Sequence, residues 1–478
     1  MSPSPAPIYL ALNQYIQENV LRLHMPGHAG IAPVLPDPWK NWARFDVTEV
    51  PGLDDLHLPV GIIREGERLL AEAFGARESF FLVNGASSGI HALFLSLPEK
   101  AKVLIPRHAH RSFFGGMVLS GAHPVYLPAE IDQETGLSLS TSVQEVDKLL
   151  SQQEVAAVFL TSPTFYGTTS NIGEIAAAAH SRNITLFVDE AHGTHFYFHP
   201  RYPAPALSAG ADAVVHGMHK TLPVFNQGGA LHLGHGFPFT ERVKKAFSLV
   251  TTTSPSYPLL ASMDLARHFM QEQSEELLER ALDLAEEYRQ KIDALPGFSC
   301  PGNRLVKAGV TGVDPLKILI LTDAMGISGF ELGCILRRQY HIQVEIEGDH
   351  YILAMMSMFH QPSDWERFYR ALEAIAKDQR HYAANSRYIR PALPPAPLVV
   401  KSPREAFQSN SRRVPLAQAR DQVAAEMVAV YPPGIPALLP GEMITGDIYD
   451  YLCYIRQIGA RVQGPLDHTL DTIAVLEI

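Results

Sequence analysis

Between residues 79 and 232 the chain carries short, mostly apolar runs at 79–83, 102–105, 123–127, 155–160, 184–188, 211–215 and 229–232. Helical or loop stretches separate most of them, the pattern of strands buried on both faces by crossover helices. They predict an α/β large domain built on a mainly parallel, seven-stranded sheet. Upstream, Ile8, Leu10, Leu12, Tyr15, Ile16, Val20 and Leu23 keep a helical period over 8–23, ending before Pro26-Gly27. The stretch 46–57 mixes carboxylates with Pro51 and Gly52 and reads as a long ordered loop. Downstream, 273–295 has the amphipathic spacing of a long bridging helix. A small α+β unit follows over 296–378, with strands at 316–321, 342–346 and 351–354 and a helix at 328–340. Arg390-Pro391-Ala392-Leu393-Pro394-Pro395-Ala396-Pro397 is a proline-rich linker to an α+β C-terminal domain. The expected division is 1–75, 76–270, 271–385 and 386–478.

Composition narrows the classes without naming one. The 478 residues are 46% hydrophobic and 19% charged, ordinary for a globular protein of two or three domains. A net charge of −11 with no basic stripe argues against a nucleic-acid partner and suits a cationic substrate. Cys300, Cys334 and Cys453 are far apart, so they read as reduced structural thiols and no metal site is expected. The N-terminus lacks a basic region followed by an apolar run, and no apolar segment reaches membrane-spanning length. A soluble, cytoplasmic protein with no membrane partner is expected.

In parallel sheets ligands bind at the carboxyl ends of strands, and the chemically active residues sit there. Lys220 lies just past the run 211–215, a poor place for a solvated charge and a good one for a lysine that holds a cofactor aldehyde as a Schiff base. Alone, a surface lysine beside a loop histidine would be the plainer explanation. Asp189 changes that balance, because it closes the run 184–188 and can pair with a pyridine nitrogen. Together they fit pyridoxal 5′-phosphate (PLP). Asn84-Gly85-Ala86-Ser87-Ser88-Gly89 opens a helix after the first strand, offering N–H groups and hydroxyls to a phosphate, although a plain helix cap would look the same. His110 could lie flat on the cofactor ring while the small Ala191 approaches its other face.

These motifs resemble the fold-type I Orn/Lys/Arg decarboxylase family. The resemblance runs from Leu23-His24-Met25-Pro26-Gly27-His28 to Pro440-Gly441-Glu442. It includes Asn84-Gly85-Ala86-Ser87-Ser88, Asp189-Glu190-Ala191-His192-Gly193, His219-Lys220-Thr221-Leu222, Thr253-Ser254-Pro255-Ser256-Tyr257 and Tyr431-Pro432-Pro433-Gly434-Ile435-Pro436. It implies an aspartate aminotransferase-like fold and PLP-dependent decarboxylation of arginine, lysine or ornithine to the corresponding amine. By it Lys220 is the Schiff-base lysine, Asp189 the pyridinium partner and His110 the stacking residue. Ala86, Ser87, Ser88 and His219 would meet the phosphate, with Ala191 and His192 lining the ring. Thr252 and Ser254 would reach the phosphate of a partner subunit in a homodimer with shared sites, or a dimer of dimers. Lys220 or His219 would return a proton to the substrate carbon. Asp54, Asp55, Glu49 and Glu442 are the candidates for the substrate's distal cation. The family commonly has a hydroxyl where Gly217 stands and a lysine where Ala29 stands, and its larger enzymes carry an N-terminal wing that is not expected here.

Two alternatives share these residues. Transamination would use the same Lys220 and Asp189 with an arginine such as Arg304, Arg337 or Arg338 for the α-carboxylate. A PLP-binding regulator without turnover is favoured only by the altered Gly217-Met218 pair, and the intact Lys220, Asp189 and His219 oppose it.

Overall fold

The computed structural model describes residues 5–31, 33–128, 130–307, 309–378, 397–430 and 435–477. The proline-rich stretch 390–396 and Tyr431 to Gly434 lie outside the described residues.

The N-terminal helix α1 (Pro7–Gln17) packs Ile8 and Leu12 into the core, and Asp264 accepts the Ile8 N–H at 2.9 Å. It stops six residues short of the predicted end. Asn19 is left-handed (φ 52°), and Leu21 and Leu23 are 80% and 88% exposed, so their apolar spacing never becomes a buried helix face.

Seven strands form the central sheet: β1 (Glu78–Leu82), β2 (Lys102–Pro106), β3 (His123–Leu127), β4 (Ala157–Thr161), β5 (Thr185–Asp189), β6 (Ala213–His216) and β7 (Gly229–Leu233). Their order is β1-β7-β6-β5-β4-β2-β3, and β7 alone runs against its neighbours. Every residue of β4, β5, β6 and β7 is buried, which is why those segments read as unbroken apolar runs. Helices cover the sheet, among them α2 (Ala86–Ser96) after β1 and α3 (Arg111–Ser120) after β2. The carboxyl ends of β1, β2, β4, β5 and β6 point to one edge, so the loops after them share one crevice.

The predicted bridging helix over 273–295 forms as one helix, and another precedes it. The helix α4 (Tyr257–Gln273) and the helix α5 (Glu275–Asp293) are interrupted at Ser274, whose hydroxyl donates to Met270 O at 2.5 Å. A smaller antiparallel sheet follows, with β8 (Lys317–Leu321), β9 (Ile346–Glu347) and β10 (Tyr351–Met355) in the order β8-β10-β9. The predicted strand at 342–346 shrinks to β9, because residues 341–344 make no ladder. The C-terminal segment forms its own core of Val414, Leu438, Ile448, Leu452, Ile473 and Val475 around the helix Gly446–Gln457. Arg404 ties it back by donating to Val118 O at 2.8 Å at the end of α3. No helix among the described residues is long and apolar enough to cross a membrane.

Candidate active site

After β6 the chain turns at Gly217 into the single helical turn Met218–Thr221. The turn places Lys220 under the carboxyl edge of the sheet, with its Nζ 3.0 Å from His192 Nε2. Burial pulls the Lys220 ammonium below its ordinary value, and Asp189 and Glu345 oppose that pull. Asp189 closes β5, in register with Val215 on β6 and Thr161 on β4. Its Oδ1 accepts the Ala191 N–H at 3.1 Å, and burial raises its carboxyl against the attraction of Lys220. A buried acid in that position is stabilised by a ligand that brings a positive charge to it, as a protonated pyridine nitrogen does.

The turn after β1 offers an anion site. Gly85 has φ +75°, a conformation that costs a residue with a Cβ, and the helix α2 begins directly after it with no side-chain cap. Its first N–H groups are therefore open to an anion. Ser88 donates its hydroxyl to Gly85 O at 2.8 Å. Thr252 N–H donates to Asn84 Oδ1 at 3.0 Å and Ser254 N–H to Thr252 Oγ1 at 3.2 Å, which lays the 251–254 loop against the chain's own 84–88 turn. The side chains of Thr252 and Ser254 are exposed. Beside Lys220, the Thr221 hydroxyl is buried without a protein partner, as expected of a group that waits for a ligand oxygen. A Cβ on Gly217 would lie 3.1 Å from Ala191 O and 3.2 Å from Lys220 Cδ, so a serine there would press on the lysine stem. The observed glycine leaves that stem room. The residues present thus fit a phosphorylated pyridine aldehyde.

His110 caps α3, accepting the Ser112 N–H at 3.2 Å. Burial takes it down to about 4, and the charge of Lys220 adds to the fall, so a neutral ring stands close to the lysine. His219 is half-buried with Nδ1 2.7 Å from Gly228 O, and burial lowers it too. Three site residues escaped the sequence. Lys317, at the start of β8, places its Nζ 3.0 Å from His192 Nδ1, and Asp314 and Glu345 act on it electrostatically. The available signal was Asp314-Pro315-Leu316-Lys317, two charges entering a wholly apolar strand.

Two of the four acidic candidates are corrected. The Asp54 carboxylate accepts N–H groups from Val60 at 3.1 Å, Gly61 at 2.8 Å and Ile63 at 3.0 Å, so it caps the helix Ile62–Phe74. Burial would raise it, but these bonds hold it below its ordinary value. Glu442 is 1% exposed and forms a two-pronged pair with Arg107, with Nη2 to Oε2 at 2.9 Å. Neither carboxylate is free for a substrate. Asp55 stays exposed, with Oδ1 accepting the His57 N–H at 2.8 Å. Glu49 takes the Thr48 hydroxyl on Oε2 while its Oε1 is buried without a partner. Both acids act electrostatically on Tyr257, which burial first of all pushes up. The transamination alternative loses Arg304, whose guanidinium grips Asp293 at 2.8 and 2.9 Å, while Arg337 and Arg338 are exposed.

The family model for the major domain of Orn/Lys/Arg decarboxylase matches residues 6–363, and that for its C-terminal domain matches 386–467. The chain belongs to the Orn/Lys/Arg decarboxylase family. It is 34% identical to the arginine decarboxylase of Bacillus subtilis over 100% of this chain and 99% of the relative. The lysine decarboxylase LdcA of Pseudomonas aeruginosa is 25% identical, over 94% of this chain and 76% of its own. Among solved structures, the Francisella novicida lysine decarboxylase LdcF superposes with a TM-score of 0.83 at 21% identity, covering 99% of this chain and 81% of that one. At that identity the likeness establishes the fold. Membership makes this chain an amino acid decarboxylase. The motif from Asp189 to His192 and that from His219 to Leu222 lie within the matched major domain.

Proposed function

We propose that the chain decarboxylates arginine to agmatine and carbon dioxide, with PLP held by Lys220. One observation carries the cofactor assignment: a lysine whose ammonium is destabilised by burial lies within electrostatic reach of a buried carboxylate at adjacent strand ends. Arginine is preferred because four of the five relatives at 34% identity are named arginine decarboxylase, while those named lysine decarboxylase fall to 23–25%.

When bound, PLP supplies an aldehyde for the substrate amine and a ring that accepts the electron pair left by departing carbon dioxide. Asp189 would keep a proton on the ring nitrogen, and the open N–H groups at Ala86 and Ser87, with Ser88 and Thr221, would hold the phosphate. His110 would cover one ring face, Ala191 the other, and His192 the edge near Lys220. Lys220, displaced as a neutral amine, or His219 would carry the proton that returns to the substrate carbon. Glu49 and Asp55 are the acids left to meet the guanidinium. The exposed Leu21, Leu23, Val34, Leu58 and Val60, each at least 70% accessible, are apolar surface that a homodimer or dimer of dimers would cover, with Thr252 and Ser254 serving the partner's phosphate.

The test is an assay of PLP-loaded protein on arginine, lysine and ornithine that detects carbon dioxide and amine together, with light scattering on the same preparation. Equal release from arginine by a particle of two or four chains is expected, and Lys220→Ala should lose both the cofactor absorbance band and turnover. Release from lysine or ornithine but not arginine would overturn the substrate. A keto acid in place of carbon dioxide, or a coloured and active Lys220→Ala, would overturn the chemistry.

A further inference from the structure

Behind the proposed cofactor lysine stands a second buried lysine. Lys317 is 2% exposed, and its Nζ lies 3.0 Å from His192 Nδ1. The other ring nitrogen of His192 lies 3.0 Å from Lys220 Nζ. Two lysines thus face opposite nitrogens of one buried imidazole, which stands edge-on to Phe165 at 5.3 Å between centroids. An ammonium has hydrogens to donate and no lone pair, and a neutral imidazole has one N–H and one acceptor nitrogen. If Lys317 is the ammonium, Nδ1 must be the acceptor, Nε2 must carry the hydrogen, and Lys220 Nζ must present a lone pair. The mirror arrangement, with the ammonium on Lys220 and the lone pair on Lys317, would satisfy the three groups equally well.

The surroundings set the direction. Asp314 lies behind Lys317, its Oδ1 taking the Leu316 N–H at 2.9 Å and its Oδ2 lying 3.2 Å from His195 Nε2. Burial would raise the Asp314 carboxyl, but His195 and Lys317 hold it low, so it is a standing anion next to Lys317. The charged or titratable groups that bear on the row are Asp314, His195 and Glu345 on the Lys317 side, and Asp189, His110, His219 and Glu345 on the Lys220 side. Asp314 is held low whereas burial raises the Asp189 carboxyl, so the firmer anion stands beside Lys317 and the positive charge is placed there, with Lys220 as the neutral end.

We propose that Lys317 is a positioning residue that acts through His192: its ammonium fixes the Nε2–H tautomer, which aims one hydrogen at Lys220 Nζ and holds that nitrogen as a lone-pair donor at the place of reaction. This rests on Lys220 being the cofactor lysine. Burial brings Lys317 down to about 8, and the arrangement dissolves as pH rises beyond that value.

Two measurements test it. In cofactor-free wild-type protein labelled with 15N-histidine, with His192→Phe used to assign the signal, Nε2 of His192 should be protonated and Nδ1 bare at pH 7. A protonated Nδ1 would overturn the proposal whatever any variant does. In PLP-loaded protein, Lys317→Met should move the titration midpoint of the cofactor band up by one pH unit or more. It should also lower kcat at least tenfold with KM for arginine changed less than threefold, and Lys317→Arg should restore most of both. In a His192→Phe background Lys317→Met should add little. An unmoved midpoint, a loss that falls on KM, or additive effects in the double variant would each overturn it. Wild-type protein with no carbon dioxide release would instead refute the proposed function, and the tautomer measurement would stand apart from that failure.

Discussion

Glu442→Ala should cost stability rather than substrate affinity. In the folded chain Arg107 is 12% exposed and Glu442 2% by side chain. Two guanidinium nitrogens meet the two carboxylate oxygens, Arg107 Nη2 also donates to Ala437 O at 2.9 Å, and Leu439 N–H donates to Glu442 Oε2 at 2.7 Å. Tyr126 faces the guanidinium at 5.0 Å. Removing the carboxylate leaves a buried cation with only neutral partners, Ala437 O and the Tyr126 side chain, and an orphaned Leu439 N–H, a loss of about 3–5 kcal/mol. Coulomb attraction at contact, about 4 kcal/mol at an effective dielectric near 20, is of the same size. Replacing both partners by apolar groups, Arg107→Met with Glu442→Leu, removes the stranded charge and should return to within about 2 kcal/mol of wild type. Urea unfolding of wild type, the single variant and the double gives these differences, with KM for arginine measured on the same samples. If Glu442→Ala leaves the unfolding midpoint in place and raises KM tenfold, Glu442 serves the substrate after all. If the double variant is no better than the single, the stranded-charge account fails.

Two further outcomes follow from the same kind of accounting. Gly167 has φ +90°, and a Cβ there would lie 2.8 Å from Lys317 Cβ and Cγ and 3.1 Å from Asp314 Cβ, so Gly167→Ala should cost about 1–3 kcal/mol in backbone strain alone and push Lys317 off His192. Denaturant unfolding with kcat and KM should show lower stability and a fall in kcat larger than any rise in KM; unchanged values for both would contradict the packing. Stability should also peak in pH. Burial lifts the carboxyls of Glu67 and Glu190 to about 8, so the folded chain holds protons that the unfolded chain has lost above about 4.5, and stability falls as pH climbs through that window. Burial drops His108 to about 4 and His216 to about 3, so unfolded histidines take protons below about 6.5 that the folded ones refuse, and stability falls on that side as well. Urea midpoints should be highest near roughly pH 6, each unmatched proton being worth about 1.4 kcal/mol per pH unit; a midpoint still rising from pH 6 to 9 would refute the assignment.

How far the sequence could be read depended on whether a residue's partner was local. The sheet was legible because β4 to β7 are buried on both faces, so burial wrote itself directly into apolar runs. The placement of Lys220 and Asp189 at the carboxyl edge of the sheet was legible because each directly follows or closes such an apolar run. The helix α1 was overdrawn because Leu21 and Leu23 keep a helical spacing on the surface, and spacing alone does not say what covers a face. Glu442 was misjudged because its partner, Arg107, lies 335 residues earlier, and an acid in a proline-rich loop looks free until that partner is in view.

Lys317 shows the limit most clearly. In the sequence it is a cation at the mouth of an apolar strand, where a lysine ordinarily curls back to solvent. What keeps it in is Asp314 three residues before it and the imidazole of His192, 125 residues away. A buried ammonium with a single hydrogen-bond acceptor is expensive, so a stable fold that keeps one either compensates it nearby or uses it. Asp314 accounts for the charge. It does not account for the hydrogen bond aimed away from Asp314 at an imidazole whose far nitrogen faces Lys220, because water or a backbone carbonyl would satisfy an ammonium equally well. The cost is recovered only if the direction of that bond matters, which makes the tautomer of His192 the quantity to measure.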